Sequence, residues 1–188
     1  MVIEEKNKIT AYLQQLEDYF NSLKTFSADF VQVDRRGVKS TGYFLLKRPS
    51  RMKLYYRSPS ADVLVAKDSK ITHYNRDLKE KTITPAHASP LSFLLESKVS
   101  LMDRVDVELA LEDDEVVMLL LSPKNQNVEI EKEGNVLFTF KKKPMTLMGW
   151  EIIDNRSDAS EVLVIKIVLE NIKINTKISN DEFEKLSS

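Results

Sequence analysis

His73 and His87 are the two histidines of the chain, and neither has the company that metal or acid–base chemistry needs. A metal site takes three or four ligands at set spacing, and no H-x-H, H-E-x-x-H or grouped carboxylate pattern surrounds them. The acid run Glu112–Glu115 lacks the alternating ligands, central glycine and final glutamate of a calcium loop, so it reads as a solvated hairpin tip. The basic run Lys141–Lys143 reads as a strand end meeting water, with partner docking as the other reading. No serine stands between closely spaced glycines as a nucleophile elbow. The four glycines, at 37, 42, 134 and 149, are too scattered for a phosphate loop. Cysteine is absent, which excludes thiolate ligands, cysteine nucleophiles and disulfides. An enzyme is not expected, and no cofactor or metal is implied.

Arg48 is different. Along Gly42–Arg48 the side-chain period is two, so Arg48 opens onto the same face as Phe44 and Leu46. One reading is a strand-end arginine whose head reaches water. The other is a guanidinium held by acceptors, for which the free carbonyls of a helix end would serve.

The elements around it follow from periodicity. Ile9, Leu13, Leu16, Phe20 and Leu23 form one apolar stripe and predict a helix over about Glu4–Lys24, with Glu4 and Glu5 in its first turn and Lys24 in its last. From Thr25 to Val33 the period changes to two, placing Phe26, Ala28, Phe30 and Gln32 on one face. Asp34–Val38 then reads as a hairpin loop around Gly37. Ser40–Lys47 and Arg51–Arg57 follow, the latter with Met52, Leu54 and Tyr56 on one side. Further strands are expected at Asp62–Ala66, Ile71–Asn75, Lys81–Thr84, Val105–Leu111, Val116–Ser122 and Val128–Glu133. The last are Leu137–Lys142, Gly149–Asn155, Val162–Leu169 and Ile172–Lys177. Their spacing is that of an antiparallel meander, sandwich or barrel. Between them, Ser89 as cap and Pro90 as first helical residue predict a short helix whose cluster Leu91, Phe93, Leu94 and Leu95 must lie on something. The chain of 188 residues reads as one domain: helix 1–24, first strands 25–84, lid helix 85–98, remaining strands 99–188. With 28 basic against 29 acidic residues, a nucleic-acid partner is not expected.

Several of these segments resemble the LolA-type lipoprotein carriers. Leu23–Gln32 is similar to that family's passage from helix to first strand. Gly42–Pro49 with Met52, Tyr56, Ser58 and Pro59 resembles its G-x-F-x-L-K-R-P … Y-x-S-P block. Asp68–Lys70 with Tyr74 matches the next hairpin, though the family's glycine is Ser69 here. Ser89, Pro90, Ser92, Leu94 and Leu95 resemble the lid helix, and Gly149–Asp154 a W-x-I-x-D strand. The likeness implies an α+β, mostly β fold: a curved, incomplete antiparallel barrel of about 11 strands, covered by a lid of short helices. It implies a lipid-binding cavity lined by Leu13, Leu16 and Phe20 of the helix and Phe26, Ala28 and Phe30 of the first strand. Phe44, Leu46, Met52, Leu54 and Tyr56 would continue the lining, closed by Leu91, Leu94 and Leu95 of the lid, with Arg48 as lid latch. The implied partners are lipoprotein acyl chains, the inner-membrane ABC transporter that releases lipoproteins, and an outer-membrane receptor where one exists. The chain would act as a monomer in the periplasm; Met1–Lys6 carries no export signal, so the likeness implies one already removed. The alternatives are an RseB-like sensor on the same half-barrel, or a binder of hydrophobic ligands with another purpose.

Overall fold

The computed structural model describes residues 2–124, 135–154 and 163–186. Helix α1 spans Val2–Ser22, and its stripe Leu13, Leu16 and Phe20 is buried. It stops two residues before Lys24 because the chain there is already committed to the sheet. The Lys24 amide donates to Asn175 Oδ1 at 2.7 Å, and the Lys24 carbonyl accepts from the Arg48 amide at 2.8 Å. Lys24 therefore does not face the negative end of the helix dipole; Arg48 does, as described below.

Among the described residues, eleven antiparallel strands form one sheet: β1 (Thr25–Val33), β2 (Lys39–Lys47), β3 (Arg51–Tyr56), β4 (Asp62–Lys67), β5 (Lys70–Asn75), β6 (Glu80–Pro85), β7 (Val105–Glu112), β8 (Val116–Pro123), β9 (Asn135–Lys142), β10 (Met145–Asp154) and β11 (Leu163–Ile174). Their order is β6-β5-β4-β3-β2-β1-β11-β10-β9-β8-β7, so two meanders meet where β1 pairs with β11. The sheet is open, with β6 and β7 as its edges. It is also sharply curved. Phe44 on β2 and Trp150 on β10 touch at 5.4 Å between ring centroids, although β1 and β11 lie between their strands.

Two expectations are amended, and one lies outside the described residues. The expected strand 128–133 falls outside the described residues, as does Val162. The strands expected at Val162–Leu169 and Ile172–Lys177 are one strand, β11, which passes through Asn171 at φ +52°. The register shifts there, from Ser27↔Lys173 to Asp29↔Glu170. Asn171 tolerates this left-handed bulge position and ties it down, donating to Asp29 Oδ2 at 2.9 Å. The lid, expected as one short helix over 85–98, is two 3₁₀ turns, Ala86–Ala88 and Ser92–Leu95. Ser89 Oγ does accept the Leu91 amide at 3.2 Å, but the apolar cluster is too short to propagate α-helical turns.

The main core fills the concave side, between the sheet and the α1–lid cover. A second cluster lies on the convex side. There Ile178, Phe183 and Leu186 of the C-terminal segment pack on Val63 and Val65 of β4 and on Leu45 and Tyr55. Lys53 is buried beneath this strap, donating to the carbonyls of Glu182 and Lys185 at 2.9 Å each.

Candidate ligand-binding site

The concave face is built from alternate positions of many strands. Phe26, Ala28 and Phe30 of β1, Phe44 and Leu46 of β2, and Met52 and Leu54 of β3 are all buried, with Tyr56 half-buried at the rim. The Tyr56 hydroxyl donates to Gln32 at 2.6 Å, and burial pushes its pKa up to about 12. From above come Leu13, Leu16 and Phe20 of α1, with Leu91 and Leu94 of the lid buried and Leu95 half-buried. All the residues predicted to line a cavity thus belong to one apolar cluster.

The sequence reading missed the other half of that cluster. Phe20 meets Phe93 of the lid and Phe138 and Phe140 of β9 edge to face, at 5.4, 5.6 and 6.0 Å. Leu119 and Leu121 of β8 and Trp150 of β10 complete the floor. Period two in Val116–Ser122 and Leu137–Lys142 already places Leu119/Leu121 and Phe138/Phe140 on shared faces, and would have found them.

Arg48 leaves this face at the point where sheet, helix and lid converge. Its Nη1 donates to the carbonyl of Phe20, and to that of Leu23 at 3.5 Å. Nε reaches the carbonyl of Leu94 at 3.1 Å and Nη2 that of Glu96 at 2.7 Å. The guanidinium therefore caps the last turn of α1 and the lid at once, using backbone acceptors only. Burial lowers its pKa, with Glu96 acting in the opposite direction. The lid segment is fixed to α1 independently. Asn21 exchanges two hydrogen bonds with the backbone of Val99, and Glu17 accepts the amides of Leu101 and Met102.

At the far end of α1 a second polar knot forms. Glu112 is held by Lys8, the Tyr12 hydroxyl and Lys142. These bonds pull its pKa down to about 2. The acid run is thus a solvated tip only in part: Asp113 shapes the turn by accepting the amides of Glu115 and Val116, while Glu112 binds the helix. His73 sits 2.9 Å from Asp62 on the exposed sheet, and His87 is exposed. Among the described residues no three His, Asp or Glu side chains gather as metal ligands.

Three open grooves flank the cover. One of about 470 Å³ separates α1 at Ile9 and Leu13 from the start of β7. Another, of about 290 Å³, lies between Tyr12 and Met145, with Lys8, Lys142 and Lys143 at its rim. The third, of about 130 Å³, lies beside Phe93 and Leu121. Of the predicted lining residues, Leu13 alone borders one of these grooves; the rest are packed against each other.

The profile of the family described as "Outer membrane lipoprotein carrier protein LolA" matches residues 21–185. Carriers of that family are periplasmic and non-catalytic. An outer-membrane lipoprotein carrier protein of Methylococcus capsulatus is 28% identical over 154 residues, covering 75% of this chain and 69% of that protein. The crystal structure of a DUF1329 family protein from Desulfovibrio piger superposes with a TM-score of 0.55 at 13% identity, covering 93% and 96% of the two chains. A LolA superfamily protein from Nitrosomonas europaea gives 0.47 at 10% identity, over 92% and 97%. The open sheet with its two-part cover and the match over most of its length agree: this chain belongs to the LolA family of outer-membrane lipoprotein carrier proteins.

Proposed function

We propose that this chain takes up the acyl chains of lipoproteins between its concave sheet and its α1–lid cover, and carries them through the periplasm as a monomer. The cargo would come from the inner-membrane ABC transporter that releases lipoproteins, and pass to the outer membrane, through a receptor where one exists. The observation that carries this reading is the setting of Arg48. Where sheet, helix and lid converge, an apolar interface is joined by a charged group whose four acceptors are all main-chain carbonyls of the cover. Opening there exposes a guanidinium and carbonyls, which water resolvates readily, and frees an apolar interior for the ligand. Each methylene then buried contributes about 0.8 kcal/mol, so long acyl chains bind without catalytic groups.

Titration with an environment-sensitive fatty-acyl probe tests this. The expected result is saturable binding near one site per chain. No binding at micromolar protein, with folding verified by circular dichroism, would overturn the reading. Capture of a partner peptide in place of lipid would favour a sensor.

A further inference from the structure

Trp150, the single tryptophan, lies in the floor of the concave face and is 2% exposed. Its cross-strand neighbours are Phe138 on β9 and Ile167 on β11, and its ring meets Phe44 edge to face. Its Nε1–H is buried and has no hydrogen-bond acceptor among the described residues. Buried indole N–H groups ordinarily find a partner, because an orphaned donor forfeits its hydration without return. The carbonyls nearest to hand in such a sheet are taken by the ladders, and the surrounding side chains named above are hydrocarbon.

We propose that the Trp150 indole N–H anchors the cargo by donating to the carbonyl oxygen of an acyl ester, where the chain joins its glycerol. This rests on the carrier reading above and names the ligand class within it: long-chain acyl esters, in preference to ethers or hydrocarbons of equal length. A neutral carbonyl suits the position. A carboxylate brought here would have to shed its water among Phe44, Phe138 and Ile167, at a cost one neutral donor does not repay. The anchor also gives the cargo a register: chains run from Trp150 under α1 and the lid, and the glycerol stays near β10.

The test compares 1-palmitoylglycerol with 1-O-hexadecylglycerol, which differ in one carbonyl oxygen, by displacement of the fatty-acyl probe. Wild type should bind the ester about tenfold more tightly, the size of one hydrogen bond that also satisfies an orphan donor. In Trp150→Phe the two ligands should bind within about twofold of each other, because the donor is gone and both meet the same smaller hydrocarbon ring, whatever the substitution does to affinity overall. The indole ¹H–¹⁵N cross-peak of the wild-type protein should move downfield with the ester and stay in place with the ether. That readout needs no variant. Equal binding of ester and ether to wild type, or an ester preference that survives in Trp150→Phe, overturns the anchor and leaves carriage standing. Binding of neither ligand overturns both.

Discussion

Removing the guanidinium of Arg48 leaves the carbonyls of Phe20, Leu23, Leu94 and Glu96 without that donor. Charge-assisted hydrogen bonds contribute about 1.5–3 kcal/mol, and that stabilisation belongs to the closed, empty form. Arg48→Leu should therefore fold, bind a fatty-acyl probe more tightly than wild type, and release it more slowly to acceptor membranes. Weaker binding by a well-folded variant would make Arg48 a ligand contact instead. Gly42 answers to sterics. A Cβ there would lie 2.0 Å from the Tyr55 carbonyl and 2.6 Å from the Phe30 ring. Gly42→Ala should cost about 1–3 kcal/mol and lower Tm by roughly 2–12 °C. The β4–β5 turn predicts the opposite sign. Asp68 and Ser69 have φ of +51° and +62°, the left-handed conformation that costs an L residue about 1–2 kcal/mol. Ser69→Gly should raise Tm; an unchanged or lower Tm would mean the Ser69 side chain compensates.

At the scale of elements, the knot around Glu112 gives a pH dependence with a definite sign. Its folded-state pKa of about 2 lies below the ordinary value of about 4.3. Its contribution is therefore complete above that ordinary value and is lost as pH falls toward 2. Hydrogen bonds hold Asp29, Asp34 and Asp113 low in the same direction. Thermal melts from pH 5 to 2 should show falling stability, with a shallower fall in Glu112→Gln; parallel slopes would remove Glu112 from the account. The helix and most strands were legible because burial imposes period 3.6 or 2 on the residues that face a core. Arg48 was placed on the right face for the same reason. The C-terminal strap was not legible. Ile178, Phe183 and Leu186 follow neither period, and nothing in Arg51–Arg57 marks Lys53 as a buried ammonium, the rarest kind of interior residue. Its donors are answered only by carbonyls of a segment 129 and 132 residues away. The lid is legible as a short helical segment, but its division into two 3₁₀ turns is not, because Ser89 and Pro90 specify a helix start and say nothing of how the chain continues.

For the molecule as a whole, the closed form leaves its predicted lining packed side chain on side chain, while the grooves described above lie at the flanks of α1 and the lid. On the proposed function, a ligand takes the place of that packing only after the cover lifts, so opening precedes binding. In stopped-flow mixing, the observed rate of probe uptake should level off as probe concentration rises, and Arg48→Leu should raise that plateau. A rate that stays linear in probe would mean the binding space exists before the ligand arrives.

The seam between β1 and β11 has a consequence for how this chain comes to be folded. Phe26 pairs with Ile174 and Phe30 with Leu169, so the centre of the sheet is made from the first and last of the described strands. The meanders β2–β6 and β7–β10 are local and can zip early. Their union must wait for the last strand and for closure of a loop of nearly the whole chain, which is slow by the entropy of that loop. A nascent chain still lacking β11 has no completed concavity to collapse around. For a protein that works in the periplasm, late closure keeps the polypeptide threadable until it has crossed the membrane. It also makes the loss of β1 or β11 a loss at the heart of the sheet rather than at its margin.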